Sequence, residues 1–195
     1  MHQIIVSDIF GRTSALEKIA DALPGDVDIF DPYESEHMAF SSEAQAYAHF
    51  SSQIGLDSYT DMLSKKVSAQ PYQLALLGFS VGASAIWKIS EQKELENVSN
   101  AICFYGSQIR DHMHITPRFP VRLIFPSSES HFLVSELIHS LEGKECVEIH
   151  RAKFLHGFMN AHSESFDQYG YDQFLKILKS KHYKAKRGRP NLFIC

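Results

Sequence analysis

Apolar and polar positions along the chain follow two different periods. Short apolar runs occur at Ile4-Ile5-Val6, Val27 to Phe30, Gln73 to Leu77, Ala101 to Tyr105, Val121 to Phe125 and Val147 to Ile149. Runs of this length read as buried strands. Between them, apolar residues recur three and four apart. Leu16, Ile19, Ala20 and Leu23 share one face of a helix within 13–23, which Pro24-Gly25 stops. Residues 33–42 are polar and irregular, and a long helical stretch follows, divided at Gly55-Leu56. Further helices are expected over 81–92, 132–141 and 166–178. His150 falls in the strand before the last helix, and His162 is expected to open that helix. Strands alternating with helices predict βαβ units. The expected fold class is therefore α/β: a compact three-layer sandwich with a mostly parallel central sheet and helices on both faces. No insertion is long enough for a large lid.

The 195 residues fit one domain, placed at 1–182. Residues 183–195 form a basic C-terminal tail containing Lys184, Lys186, Arg187 and Arg189, with an apolar end at Asn191-Leu-Phe-Ile-Cys195. That tail reads as a solvated end, as a segment docking on the body or a partner, or as a weak anion site. A net charge of −4 argues against a nucleic-acid binder. No apolar run reaches the roughly 18–20 residues of a membrane span, and the N-terminus lacks the features of a signal peptide. The expected location is cytoplasmic. Three scattered cysteines form no disulfide framework or zinc knuckle, and Cys103 and Cys146 are expected to be buried free thiols.

Gly78-Phe79-Ser80-Val81-Gly82 fits G-x-S-x-G between a strand and a helix. This context gives the motif its meaning, because a bare match is common at tight turns. A sharp strand-to-helix turn holds a serine in a strained backbone conformation, and Gly78 and Gly82 let neighbouring backbone come close. The turn exposes the Ser80 hydroxyl and aims the Val81 N–H, at a helix N-terminus, toward a developing oxyanion. Ser84, one turn further on, reads as a packing residue.

A serine nucleophile needs a base. In this architecture the chain order is Ser, acid, His, and the base lies between the last strand and the last helix. His156, in Phe154-Leu155-His156-Gly157-Phe158, has that position, although a partly buried loop histidine would read the same way. The acid is expected after the Val121–Phe125 strand, where Glu129 is the carboxylate of the turn. Glu129 would fix the His156 tautomer, or else serve only as a surface residue at a helix start. Asp111, on the preceding loop, is the fallback. His112 and His114 lack a third ligand at metal-site spacing, so no metal is expected. No dinucleotide turn or P-loop lysine occurs, and no cofactor is expected.

These pieces resemble the dienelactone hydrolase family of α/β-hydrolases over nearly the whole chain. The resemblance rests on Ile4 to Gly11, Asp31-Pro32-Tyr33, Gln45-Ala46-Tyr47, Phe104-Tyr105-Gly106 and His156-Gly157-Phe158, in that order. It implies an α/β-hydrolase fold, with the Ile9 N–H as second oxyanion donor and Asp8 beside the nucleophile. The chain departs from the family in several places. Ser80 stands where the family's named enzyme has cysteine, and Asp8 where it has glutamate. The family's triad acid is aspartate; anchoring on His131-Phe132 would put Ser130 there, whereas counting from the strand gives Glu129. The two arginines that grip the dienelactone carboxylate are replaced by Glu43 and Asn160, so dienelactone itself is not the expected substrate.

The expected function is a serine hydrolase cleaving a small ester, lactone or thioester through Ser80, His156 and Glu129, with Phe10, Tyr33, Tyr105, Met113 and Phe158 around the substrate. A non-catalytic binding protein on the same fold, and an acyltransferase sharing the acyl-enzyme, are the alternatives.

Overall fold

The computed structural model describes residues 2–180. The expected tail therefore lies outside the described residues. Six strands form one sheet: β1 (His2–Val6), β2 (Asp26–Phe30), β3 (Leu74–Phe79), β4 (Val98–Phe104), β5 (Val121–Phe125) and β6 (Val147–Arg151). All neighbours are parallel and the order is β2-β1-β3-β4-β5-β6.

The helices are α1 (Ser14–Ala22), α2 (Glu43–Gln53), α3 (Gly55–Ser68), α4 (Val81–Ile89), α5 (Val134–Leu141) and α6 (Gln168–Lys179). Side-chain caps start several of them. The Thr13 hydroxyl accepts the Leu16 N–H, Ser42 accepts that of Gln45, and Asp167 accepts that of Gly170. The division between α2 and α3 falls at Ile54-Gly55, as the glycine predicts.

Strand alternation gives the sheet two apolar faces. Ile4, Val6, Leu74, Leu76, Cys103 and Leu123 pack with α2, α3, α4 and α5. Ile5, Leu77, Phe79, Ile102, Phe104 and Ile124 pack with α1 and α6. The outer strands β2 and β6 carry Asp28 and Glu148, paired with Lys66 and Arg122. Charge on an edge strand discourages pairing with another chain.

From β1 the chain first steps outward to β2, then returns past β1 to β3. Right-handed crossovers in opposite directions place α1 on one face and α3 on the other. The crevice between them opens at the carboxyl ends of β1 and β3, the place where parallel α/β sheets bind ligands.

Several expectations change. Strand β4 starts three residues early because Ser99 and Asn100, polar in sequence, lie within it, and the Ser99 hydroxyl donates to the Leu74 carbonyl at 2.9 Å. The segment Ser107–His112 forms a 3-10 helix that the apolar pattern did not predict. His162 does not open α6; the helix begins at Gln168 on its Asp167 cap. Cys103 is buried and free, whereas Cys146 is only half-buried and is not a free thiol. Among the described residues, no helix is long and apolar enough to cross a membrane.

Candidate active site

Strand β3 is buried along its whole length, so Phe79 is fixed before the chain turns. Ser80 has φ 51° and ψ −114°, a conformation that costs a side-chain-bearing residue about 1–3 kcal/mol. Its N–H donates to the Phe104 carbonyl at 2.9 Å, and its carbonyl accepts the Ser84 N–H at 3.0 Å. The Ser84 hydroxyl donates to that carbonyl too, and Ser84 is buried, so Ser84 supports the turn.

Close backbone approach explains the flanking glycines. A Cβ on Gly82 would stand 2.4 Å from the carbonyl oxygens of Val6 and Ser7. A Cβ on Gly78 would meet the Ala83 backbone at 2.8 Å. The start of α4 thus abuts the end of β1, and the Asp8-Ile9 peptide follows directly after that contact. Among the described residues, the N–H groups of Ile9 and Val81 have no hydrogen-bond acceptor.

His156 reaches Ser80 from the far side. Its Nε2 lies 3.0 Å from the Ser80 Oγ, and its Nδ1 lies 2.8 Å from Glu129 Oε1. With Glu129 as the acceptor of this bond, the ring proton sits on Nδ1. The Nε2 lone pair then faces the serine hydroxyl. Gly157 turns this loop at φ +86°, where a Cβ would strike the Ser163 side chain. The β5 and β6 loops are tied together, since the Ser127 N–H donates to the Phe154 carbonyl at 2.7 Å and Arg151 to the Ser127 carbonyl. Asp111 is exposed and pairs with Arg110, so it is not the group facing His156. Ser130 follows Glu129 in the same loop but carries no carboxylate.

Asp8 lies on the opposite rim. Its Oδ1 accepts the Phe10 N–H at 3.0 Å and its Oδ2 accepts the Asn160 amide at 2.6 Å. Burial raises its pKa, and the Phe10 N–H, the Asn160 amide and His156 oppose that shift. Tyr33 pins the same loop, its hydroxyl donating to the Ile9 carbonyl at 2.8 Å. Its own N–H is held by Asp31 Oδ1 at 2.8 Å, an Asx turn that the Asp31-Pro32-Tyr33 sequence signals. Burial pushes the phenols of Tyr33, Tyr59 and Tyr105 up, so all three keep their protons, and those of Tyr33 and Tyr59 donate to backbone carbonyls.

The expected substrate wall is largely revised. Phe158 is fully buried and packs on Phe104, Phe154 and Phe174, as core. Tyr105 is also buried, with its ring 4.9 Å from that of His156. Its hydroxyl faces the Met159 backbone at a geometry short of a hydrogen bond. Phe10 and Tyr33 are buried supports of the β1 loop. Met113 is partly exposed on the α4 flank, next to His112, whose carbonyl accepts from Trp87 two turns beyond Ser80. A cavity of about 10 Å³, room for one water at most, lies among Asp8, Thr13, Phe79, Tyr105 and Asn160. A groove of about 150 Å³ between β4–β6 and α6 contains none of these site residues. Among the described residues, no group of three metal-ligating side chains occurs.

Asn160 was visible in the sequence only as the loss of an arginine. Its bond to Asp8 spans 152 positions and has no local signal.

A Bacillus subtilis protein, YczH, is 32% identical to this chain over 184 residues, covering 91% of the chain and 90% of YczH, which is described as uncharacterised. The chain belongs to the YczH family. No family model matches the chain. Among solved structures, a Clostridium acetobutylicum lipase-esterase related protein has a TM-score of 0.60 at 12% identity, covering 91% of this chain and 93% of its own. A Xanthomonas campestris protein assigned to the α/β hydrolase superfamily has a TM-score of 0.58 at 14% identity, with coverage of 91% and 96%. A dienelactone hydrolase-like promiscuous phosphotriesterase, P91, from metagenomic libraries has a TM-score of 0.54 at 12% identity, with coverage of 91% and 84%. At these identities the likeness is one of fold. This YczH relative has the α/β-hydrolase fold, and no large lid is evident among the described residues.

Proposed function

We propose that this chain is a serine hydrolase acting on a small ester, lactone or thioester. The observation that carries the reading is the unbroken relay from Ser80 Oγ to His156 Nε2 at 3.0 Å and from His156 Nδ1 to Glu129 at 2.8 Å. Its chain order is Ser, acid, His, as in other α/β-hydrolases.

The chemistry follows from those atoms. As the Ser80 Oγ bonds to the substrate carbonyl carbon, its proton passes to His156 Nε2. Glu129 stabilises the imidazolium that results. The carbonyl oxygen gains the electron pair and meets the Ile9 and Val81 N–H groups, each such donor contributing about 10²–10³ in rate. His156 then returns the proton to the leaving oxygen or sulfur, and the acyl group stays on Ser80. Water attacks that ester with His156 again as base, releasing the acid and restoring the serine.

The test is intact mass after fluorophosphonate treatment, together with hydrolysis of p-nitrophenyl acetate, for wild type, Ser80→Ala and His156→Ala. The reading expects one adduct on wild type, none on Ser80→Ala and slow labelling of His156→Ala, with turnover following the same order. A wild type that neither labels nor turns over, beside a control hydrolase that does both, would overturn it.

A further inference from the structure

The Ile9 N–H and His156 must face one substrate carbonyl together, yet the sheet does not hold them together. They follow β1 and β6, and three strands (β3, β4 and β5) stand between those two. A direct side-chain hydrogen bond, 2.6 Å from Asn160 Nδ2 to Asp8 Oδ2, ties the two loops, beside a ring contact of Phe10 with His162.

Both ends of that tie are themselves fixed. The Asn160 N–H donates to the Gly157 carbonyl at 2.8 Å, and its carbonyl accepts the Ser163 N–H at 3.0 Å. Its Oδ1 accepts the His162 N–H at 2.9 Å. Asn160 is therefore rigid relative to the turn that carries His156. On the other side, the Asp8 carbonyl accepts the Gly11 N–H at 3.1 Å. That carbonyl belongs to the same planar peptide as the Ile9 N–H, so fixing one direction fixes the other. Asp8 Oδ1 closes the turn through the Phe10 N–H. A carboxylate kept in this environment is disfavoured by burial, as its raised pKa shows.

Resting on the serine-hydrolase reading above, we infer that Asn160 is a positioning residue, which holds the Ile9 oxyanion donor in register with His156 through Asp8. Its contribution is expected on the acyl-transfer step more than on substrate affinity, because its side-chain amide donates to Asp8.

The experiment is a double-mutant cycle of Asp8→Ala and Asn160→Ala, with Asn160→Asp as a further variant, on the full chain and with an ester the wild type hydrolyses. Melting curves identify variants that fail to fold. Asn160→Ala is expected to lower kcat about 10-fold, with KM changed less than threefold. The double variant should be no slower than the worse single one, since both remove one tie. Asn160→Asp sets two carboxylates against each other, and their hydrogen bond returns only when one takes a proton. Its kcat relative to wild type should therefore rise as pH falls. The other ionisable groups around this pair are His156, His162, Glu43, Tyr33, Tyr59 and Tyr105, and all are present in both proteins compared. A kcat for Asn160→Ala within twofold of wild type, independent effects in the cycle, or a flat ratio with pH for Asn160→Asp would overturn this inference alone. Absence of Ser80-dependent turnover in the wild type would overturn it together with the hydrolase reading.

Discussion

Glu129 and His156 lie 27 positions apart, on loops that leave neighbouring strands, and Glu129 Oε1 sits 2.8 Å from His156 Nδ1. Only one-tenth of the Glu129 side chain is exposed. Removing its charge while keeping its shape should expose its role. Glu129→Gln is expected to lower kcat/KM by about 10³–10⁴, because the amide no longer fixes the Nδ1–H tautomer or offsets the imidazolium. Steady-state kinetics on the ester used for the wild type would check this, and a loss below tenfold would remove Glu129 from the mechanism.

The Ser80 backbone at φ 51° allows a test that needs no substrate. Ser80→Gly and Ser80→Ala both lose the hydroxyl and its bond to His156. They differ in what the turn costs. Glycine ordinarily destabilises relative to alanine, but here it should be the more stable variant by about 1 kcal/mol or more. For a domain of this size that corresponds to roughly 2–4 °C in Tm. Equal melting temperatures would contradict a strained turn.

Gly82 faces backbone that cannot yield. Gly82→Ala places a methyl 2.4 Å from two carbonyl oxygens of the β1 end. A loss of about 3 kcal/mol is expected, at the upper end of overpacking costs. Denaturant unfolding would measure it, together with loss of fluorophosphonate labelling as α4 is pushed away from β1.

Burial of Asp8 sets the expected sign of a pH dependence in stability. Its carboxyl pKa is raised above the ordinary 3.8 by burial. Between that value and the raised one, the folded state holds more protons than the unfolded state. Stability from this group is therefore greatest at low pH and is lost as pH rises through that window. Unfolding free energies of wild type and Asp8→Asn, compared across pH, should show the wild type losing ground as pH climbs and then levelling off. A difference that moves the other way would refute the assignment.

Cys103 is buried within β4, and burial pushes its thiol pKa up. The thiolate is the reactive form, so native protein at pH 8 should escape alkylation at this position. Peptide mass mapping should show Cys103 modified only after denaturant is added.

Local pattern determined much of this protein. Apolar runs marked all six strands, Pro24-Gly25 and Gly55 marked helix ends, and strand-turn-helix order around Ser80 marked the elbow. These are near-neighbour effects: side-chain period, φ preference and capping act within a few residues, so sequence displays them. The loop placement of His156 and Glu129 was also legible, because parallel strands put every following loop on one edge. The tertiary structure decided the rest. Ser99 and Asn100 joined a strand because Leu74 offers a carbonyl across it. Tyr105 and Phe158 became core rather than substrate wall because two faces of a sheet had to be covered. The bond from Asn160 to Asp8 depends on where two distant loops come to rest, and no local preference encodes it. Sequence thus set the elements and the chain order of Ser80, Glu129 and His156, while long-range packing fixed which side chains meet and at what distance.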